Sequence, residues 1–283
     1  PYRRIWWLRY FGLVIPSLEI NLKGKRLSVT EKGKRLLQRF DFSDRELIGS
    51  RPKVEVTPEE FVEPDFLEIF HRIQTNTDMI IDVDEVRDLH NALHANAKKR
   101  FVILSGLSGT GKTKILQEYA RAYCELLELE YDEHVCPVSV TPAFRDHTQL
   151  LGYLNPLTDP PRYIKGEMTD LLIEAEKTPH LPYFLILDEM NLARVEFYFA
   201  PILSAMESGE GVVFHNANLK HIPQSTNAWP GNIFIAGTVN MDETTHAFSD
   251  KVLDRAFTFE LWDINLDAYF EKFPTDGLTK KTI

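Results

Sequence analysis

Four short, continuous stretches of mainly apolar residues constrain what this chain can fold into: Phe101-Val102-Ile103-Leu104, Val135 to Val140, Tyr183-Phe184-Leu185-Ile186-Leu187 and Ile233-Phe234-Ile235-Ala236. A strand with one face in water alternates apolar and polar side chains. A strand covered on both faces is apolar throughout, as in a parallel sheet with helices on either side. Loops and stretches of helical spacing separate the runs, and returning to a parallel neighbour requires right-handed crossovers, so the expectation is an α/β fold. Upstream, Glu63 to Thr75 and Asp84 to Lys98 read as helices, the second carrying Val86, Leu89, Leu93 and Ala97 at helical spacing.

The residues at the ends of these runs carry chemistry. Gly106-Leu107-Ser108-Gly109-Thr110-Gly111-Lys112-Thr113 follows the first run and opens a helix predicted from Lys114 to about Leu127, which is G-x-x-x-x-G-K-[ST] in its required strand-to-helix context. Gly106, Gly109 and Gly111 allow backbone N–H groups to wrap a phosphate without a Cβ in the way, and the helix N-terminus adds partial positive charge there. Thr110 and Lys114 complete the stretch expected against the phosphates. Lys112 is expected to reach the β- and γ-phosphates and Thr113 to ligate Mg²⁺. The third run ends in Asp188-Glu189. Asp188 is the expected second holder of Mg²⁺, and Glu189 the group that orients and polarises an attacking water, because phosphoryl transfer depends mostly on positioning and electrostatics. The fourth run leads into Gly237-Thr238-Val239-Asn240, which puts the Asn240 amide beside the same crevice. The substrate these residues imply is ATP or GTP.

Composition narrows the alternatives. The chain has 283 residues, 43% of them hydrophobic, enough for one large α/β domain and a smaller piece. Its two cysteines, Cys124 and Cys136, form no metal-ligand spacing and no disulfide framework, which points to a reducing, cytoplasmic setting. No run approaches the roughly 18 apolar residues of a membrane span. The apolar start, Pro1 to Pro16, is interrupted by Arg9 and leads into no small-residue cleavage site, so no signal peptide is expected. Charge is uneven: residues 1–53 hold thirteen Lys/Arg against five Asp/Glu, a net +8, while the remainder carries −18. A basic module on an acidic body suits phosphate-backbone binding, although a solvated basic surface gives the same count.

Residues 1–50 read as a helix over 2–11, short strands over Leu18–Leu22 and Arg26–Val29 joined by Lys23-Gly24-Lys25, and a helix from Glu31 to about Phe40 capped by Thr30. That order resembles the tail half of a winged-helix domain. The resemblance implies Lys23, Lys25 and Arg26 on nucleic-acid phosphates or, as in many such modules, a protein contact. Residues 51–83 read as a linker with Pro52, Pro58 and Pro64 and a connecting helix.

Asp188-Glu189-Met190-Asn191-Leu192-Ala193-Arg194, together with Asn240-Met241-Asp242-Glu243-Thr244-Thr245-His246 and Asp254-Arg255-Ala256-Phe257, resembles the McrB-type branch of AAA+ proteins over roughly Asp84 to Leu261. The resemblance implies a P-loop AAA+ core over 84–265 with a parallel five-stranded sheet flanked by helices, its last strand being Phe257 to Leu261. It implies Asn240 as the polar sensor of the γ-phosphate or water and Arg255 as a finger reaching a neighbouring subunit's nucleotide, with Arg145 and Arg194 as competing candidates. It implies a homo-oligomeric, hexameric ring that acts on DNA beside a separate McrC-like nuclease subunit. Leu151 to Pro156 and Tyr163 to Glu167 resemble the pore-facing segment of such rings, or form a surface loop. Two departures stand out. The sequence has Val239-Asn240-Met241-Asp242-Glu243 where GTP-using McrB motors have M-N-x-x-D, which puts guanine preference in doubt. Only about 20 residues follow Leu261, so the helical lid is absent from the tail at 266–283, truncated, or supplied elsewhere. A MoxR-like remodelling chaperone and a nucleotide-switched DNA-binding regulator are the alternative functions.

Overall fold

Two aspartates fix where the first helices begin. The Asp65 carboxylate accepts the Leu67 N–H at 2.8 Å and that of Asp82 accepts the Asp84 N–H at 2.7 Å. Each satisfies a backbone donor that a helix start leaves unpaired. The computed structural model describes residues 63–241 and 246–261, and there these caps open α1 (Phe66–Asn76) and α2 (Val83–Ala95). The second helix stops short of the expected Lys98 because the Asn96 side chain accepts the Lys98 N–H at 2.9 Å and turns the chain. The winged-helix-like segment at 1–50, residues 51–62 of the linker, residues 242–245 and the tail at 266–283 lie outside the described residues.

From there the chain builds β1 (Phe101–Gly106), α3 (Lys112–Leu126) and β2 (Val135–Ser139), then a small antiparallel pair, β3 (Gly152–Asn155) with β4 (Arg162–Lys165). It continues through α4 (Thr169–Lys177), β5 (Tyr183–Asp188), α5 (Ala200–Ser208), β6 (Ile233–Asn240) and β7 (Phe257–Leu261). The main sheet has five parallel strands in the order β2-β5-β6-β1-β7. All four apolar runs are therefore strands of one sheet, with β2 and β7 at its edges.

Burial explains why the central strands are apolar without alternation. Every residue of β1 and of β6 is buried. In β1, Phe101 and Ile103 pack into a cluster with α4 and α5, while Val102 and Leu104 pack into another with α1, α2 and α3. Each fully buried Val, Ile, Leu or Phe of this kind contributes about 1.5–3 kcal/mol of transfer free energy. Packing, rather than backbone conformation, calls for glycine in the middle of β6. A Cβ on Gly237 would collide with Sδ of the fully buried Met190. Gly237→Ala should accordingly lower stability by about 1–3 kcal/mol in a denaturant melt; an unchanged midpoint would mean that Met190 has room to move.

Cys124 and Cys136 are free thiols, and burial pushes Cys124 up to about 12 and Cys136 up to about 11. Both stay protonated and unreactive near neutrality. Among the described residues no helix is long and apolar enough to cross a membrane.

Candidate functional site

Parallel order places the C-terminal ends of β1, β5 and β6 side by side. The register pairs Gly106 with Asn240 and Leu187 with Gly237, so the glycine turn after β1, the acids after β5 and the amide at the end of β6 meet at one edge of the sheet. Ligand crevices in open α/β sheets lie at these strand ends.

The turn between β1 and α3 is set by Gly111. It adopts φ 85° and ψ 11° as the residue before α3, a left-handed conformation that side chains disfavour, and its carbonyl accepts the Ile115 N–H at 2.9 Å. The helix consequently starts at Lys112 rather than the expected Lys114, which puts Lys112 and Thr113 on its first turn. Lys112 is 4% exposed, and its ammonium donates to the carbonyls of Gly106 at 3.1 Å and Leu107 at 2.5 Å. The Thr110 hydroxyl donates to Leu107 O at 3.0 Å, closing the loop on itself. Lys114, the last of the expected phosphate-loop residues, turns its ammonium to Glu118 at 2.5 Å.

Thr113 and Asp188, 75 residues apart, are brought together: the hydroxyl donates to Asp188 Oδ1 at 2.5 Å. Both are hard oxygen ligands. Mg²⁺ is usually held by one or two protein oxygens together with substrate phosphates and waters, so this pair fits that ion. The adjacent acid faces another partner. Asn240 Nδ2 donates to Glu189 Oε1 at 2.8 Å, and Asn240 is 8% exposed. Glu189 sits at φ 53°, ψ 44°, in the left-handed region that a non-glycine residue occupies only when its surroundings hold it there. Successive carboxylates on a regular strand would point to opposite faces. The left-handed turn instead lets Asp188 and Glu189 serve neighbouring positions in one crevice.

Thr238 received no role from the sequence. It is 1% exposed; its hydroxyl accepts the Glu189 N–H at 2.9 Å and donates to Asp188 Oδ1 at 2.7 Å. The available signal was its place two residues before Asn240 on the same strand, which puts both side chains on one face.

The three arginines separate. Arg255 is bound within its own chain, donating from Nε to Leu203 O at 3.1 Å and from Nη1 to Lys251 O at 2.5 Å, with Nη2 3.2 Å from the Glu207 carboxylate. Glu207 also pairs with Lys99 at 3.1 Å, and these contacts hold its carboxyl below the usual range. Arg145 and Arg194 are exposed, the latter 5.6 Å from the ring centre of exposed Phe197. Arg255→Ala should therefore cost about 1–3 kcal/mol in a denaturant melt of the chain through lost charge-assisted hydrogen bonds. An unaltered melt would show these contacts to be energetically idle. The segment expected to face a pore is the β3–β4 hairpin, with Tyr153 opposite Ile164, both exposed, and Leu157 beyond them 93% exposed.

Compared with known proteins, the chain matches no family model and no curated protein.

Proposed function

We propose that this protein is a Mg²⁺-dependent nucleoside triphosphatase of the P-loop AAA+ class, acting on ATP or GTP as a ring-forming motor subunit of a McrBC-like DNA restriction complex. The observation carrying the hydrolytic part is the convergence of Lys112, Thr113, Asp188, Thr238, Glu189 and Asn240 at adjacent strand ends, linked by hydrogen bonds of 2.5–2.9 Å around Asp188 and Glu189. In this reading the loop N–H groups from Gly106 to Thr113 receive the phosphate oxygens, and Lys112 exchanges its carbonyl partners for the β- and γ-phosphates. Thr113 and Asp188 would hold Mg²⁺, which supplies charge neutralisation at the phosphate oxygens. Glu189, steered by Asn240, orients a water toward the γ-phosphorus. The water oxygen forms the new P–O bond, the β–γ bridging bond breaks, and the proton passes toward the Glu189 carboxylate or a phosphate oxygen.

The ring, DNA and nuclease parts of the proposal rest on the likeness of Asp188 to Arg194 and of Asn240 to Phe257 to McrB-type motors. The preferred assembly is a homo-oligomer, hexameric by that likeness, with a separate McrC-like nuclease. Because all three arms of Arg255 are engaged in cis, it can act in trans only after assembly exchanges those contacts. Arg145 and Arg194 remain competing fingers, and the isolated subunit is expected to turn over slowly. The deciding experiment measures phosphate release from ATP and from GTP, with and without Mg²⁺ and methylated DNA. Mg²⁺-dependent turnover raised by DNA supports the proposal. Turnover raised by a protein client without DNA would redirect it to a remodelling chaperone, and no turnover under any condition would remove it.

A further inference from the structure

Resting on the phosphate-site reading above, we infer that Thr238 is a positioning residue whose single hydroxyl fixes the spacing between Asp188, assigned to the metal, and Glu189, assigned to the attacking water. A hydroxyl has one hydrogen and two lone pairs. With the Glu189 N–H entering at 2.9 Å and Asp188 Oδ1 at 2.7 Å, the Thr238 hydrogen points at Asp188 and a lone pair at Glu189. Both neighbours are thereby referenced to one atom of β6, in a position 1% exposed and closed to competing water.

Two consequences follow from what else those groups touch. Asp188 Oδ1 accepts from Thr113 as well, at 2.5 Å. A Thr113 oxygen can turn a lone pair toward a cation while its hydrogen stays on Asp188, and Thr238 is the second donor that keeps the carboxylate from rotating. Glu189 is gripped at both ends by side chains two residues apart on β6: its N–H by Thr238 and its Oε1 by Asn240 at 2.8 Å. That double hold braces its left-handed φ of 53°, a conformation that persists only where its surroundings support it.

The test compares Thr238→Val, which keeps the shape and removes both bonds, with Thr238→Ser, which keeps the hydroxyl. Two readouts are used on the full chain: affinity for fluorescent ATP and GTP analogues that resist hydrolysis, in EDTA and across a Mg²⁺ titration, and steady-state turnover across the same titration. Outer-shell partners of metal ligands typically change metal affinity or activity by about 10–100-fold. Thr238→Val is accordingly expected to raise the Mg²⁺ needed for half-maximal tightening of analogue binding about tenfold and to lower kcat about 10–100-fold, with KM and the affinity in EDTA within about threefold; Thr238→Ser should restore the wild-type values. A valine variant with wild-type Mg²⁺ dependence overturns the inference. So do valine and serine variants that are equally impaired and melt at lower temperature, since that pattern is a packing effect. Failure of the unaltered chain to bind either analogue, with or without Mg²⁺, would overturn the phosphate-site reading and this role together.

Discussion

Glu189→Gln is expected to bind nucleotide and Mg²⁺ as the unaltered chain does while turning over about 10²–10⁴-fold more slowly, the range that a positioned general base contributes. The substitution is nearly silent for geometry. Glutamine retains the oxygen that accepts the Asn240 amide at 2.8 Å, and the backbone N–H held by Thr238 at 2.9 Å is untouched. What it loses is the negative charge that polarises water, so the effect should fall on kcat with little change in KM. Single-turnover hydrolysis together with equilibrium binding of a triphosphate separates the two steps. Turnover at the wild-type rate would transfer the base role to another group and leave Glu189 with a structural part only.

Lys112→Ala is expected to lower triphosphate affinity at least about 100-fold, equivalent to about 2.7 kcal/mol, measured by titration calorimetry with Mg²⁺ present. The side chain is 4% exposed and its ammonium already meets the carbonyls of Gly106 and Leu107, so it is aimed into the loop proposed to receive the phosphates. A phosphate-bound ammonium makes short, charge-assisted hydrogen bonds, and alanine offers none. Because removal also leaves two carbonyls without their donor, a melting curve must accompany the titration. Folded protein that still binds tightly would take Lys112 out of the phosphate site.

These two effects differ in kind, and the difference separates the roles. Loss at Lys112 should appear as weakened binding, loss at Glu189 as slow chemistry on a normally bound substrate. Arg255 adds a third pattern, since its contacts to Leu203, Lys251 and Glu207 make alanine destabilising in the isolated subunit. A mixing experiment with Arg255→Ala subunits is thus read only against their measured stability.

The local elements were legible because their causes are local. The central strands β1, β5 and β6 are apolar over consecutive residues, a pattern imposed by burial on both faces, and Phe101 to Leu104 shows it without any knowledge of neighbours. Gly106 to Thr113 likewise advertises a turn into a helix by composition alone. Boundaries were less legible where a single side chain moved them: Gly111 started α3 two residues early, and Asn96 ended α2 before Lys98. Thr238 went unassigned because threonine in an apolar strand has no distinguishing chemistry until the two carboxylate residues at the end of β5 and just after it are placed beside it.

The sequence alone determined which segments become buried strands, which turn is built of glycines, and that an ammonium, a hydroxyl, two acids and an amide stand at strand ends. Periodicity and residue type act over a few positions, and those positions are contiguous in the chain. Only the tertiary structure decided that Asp188 shares one oxygen between Thr113 and Thr238, that Asn240 grips Glu189, and that Arg255 is turned onto Glu207. Those pairings join residues some 50 to 75 positions apart and depend on strand order and register, which hydrogen bonding between strands fixes and no local pattern records.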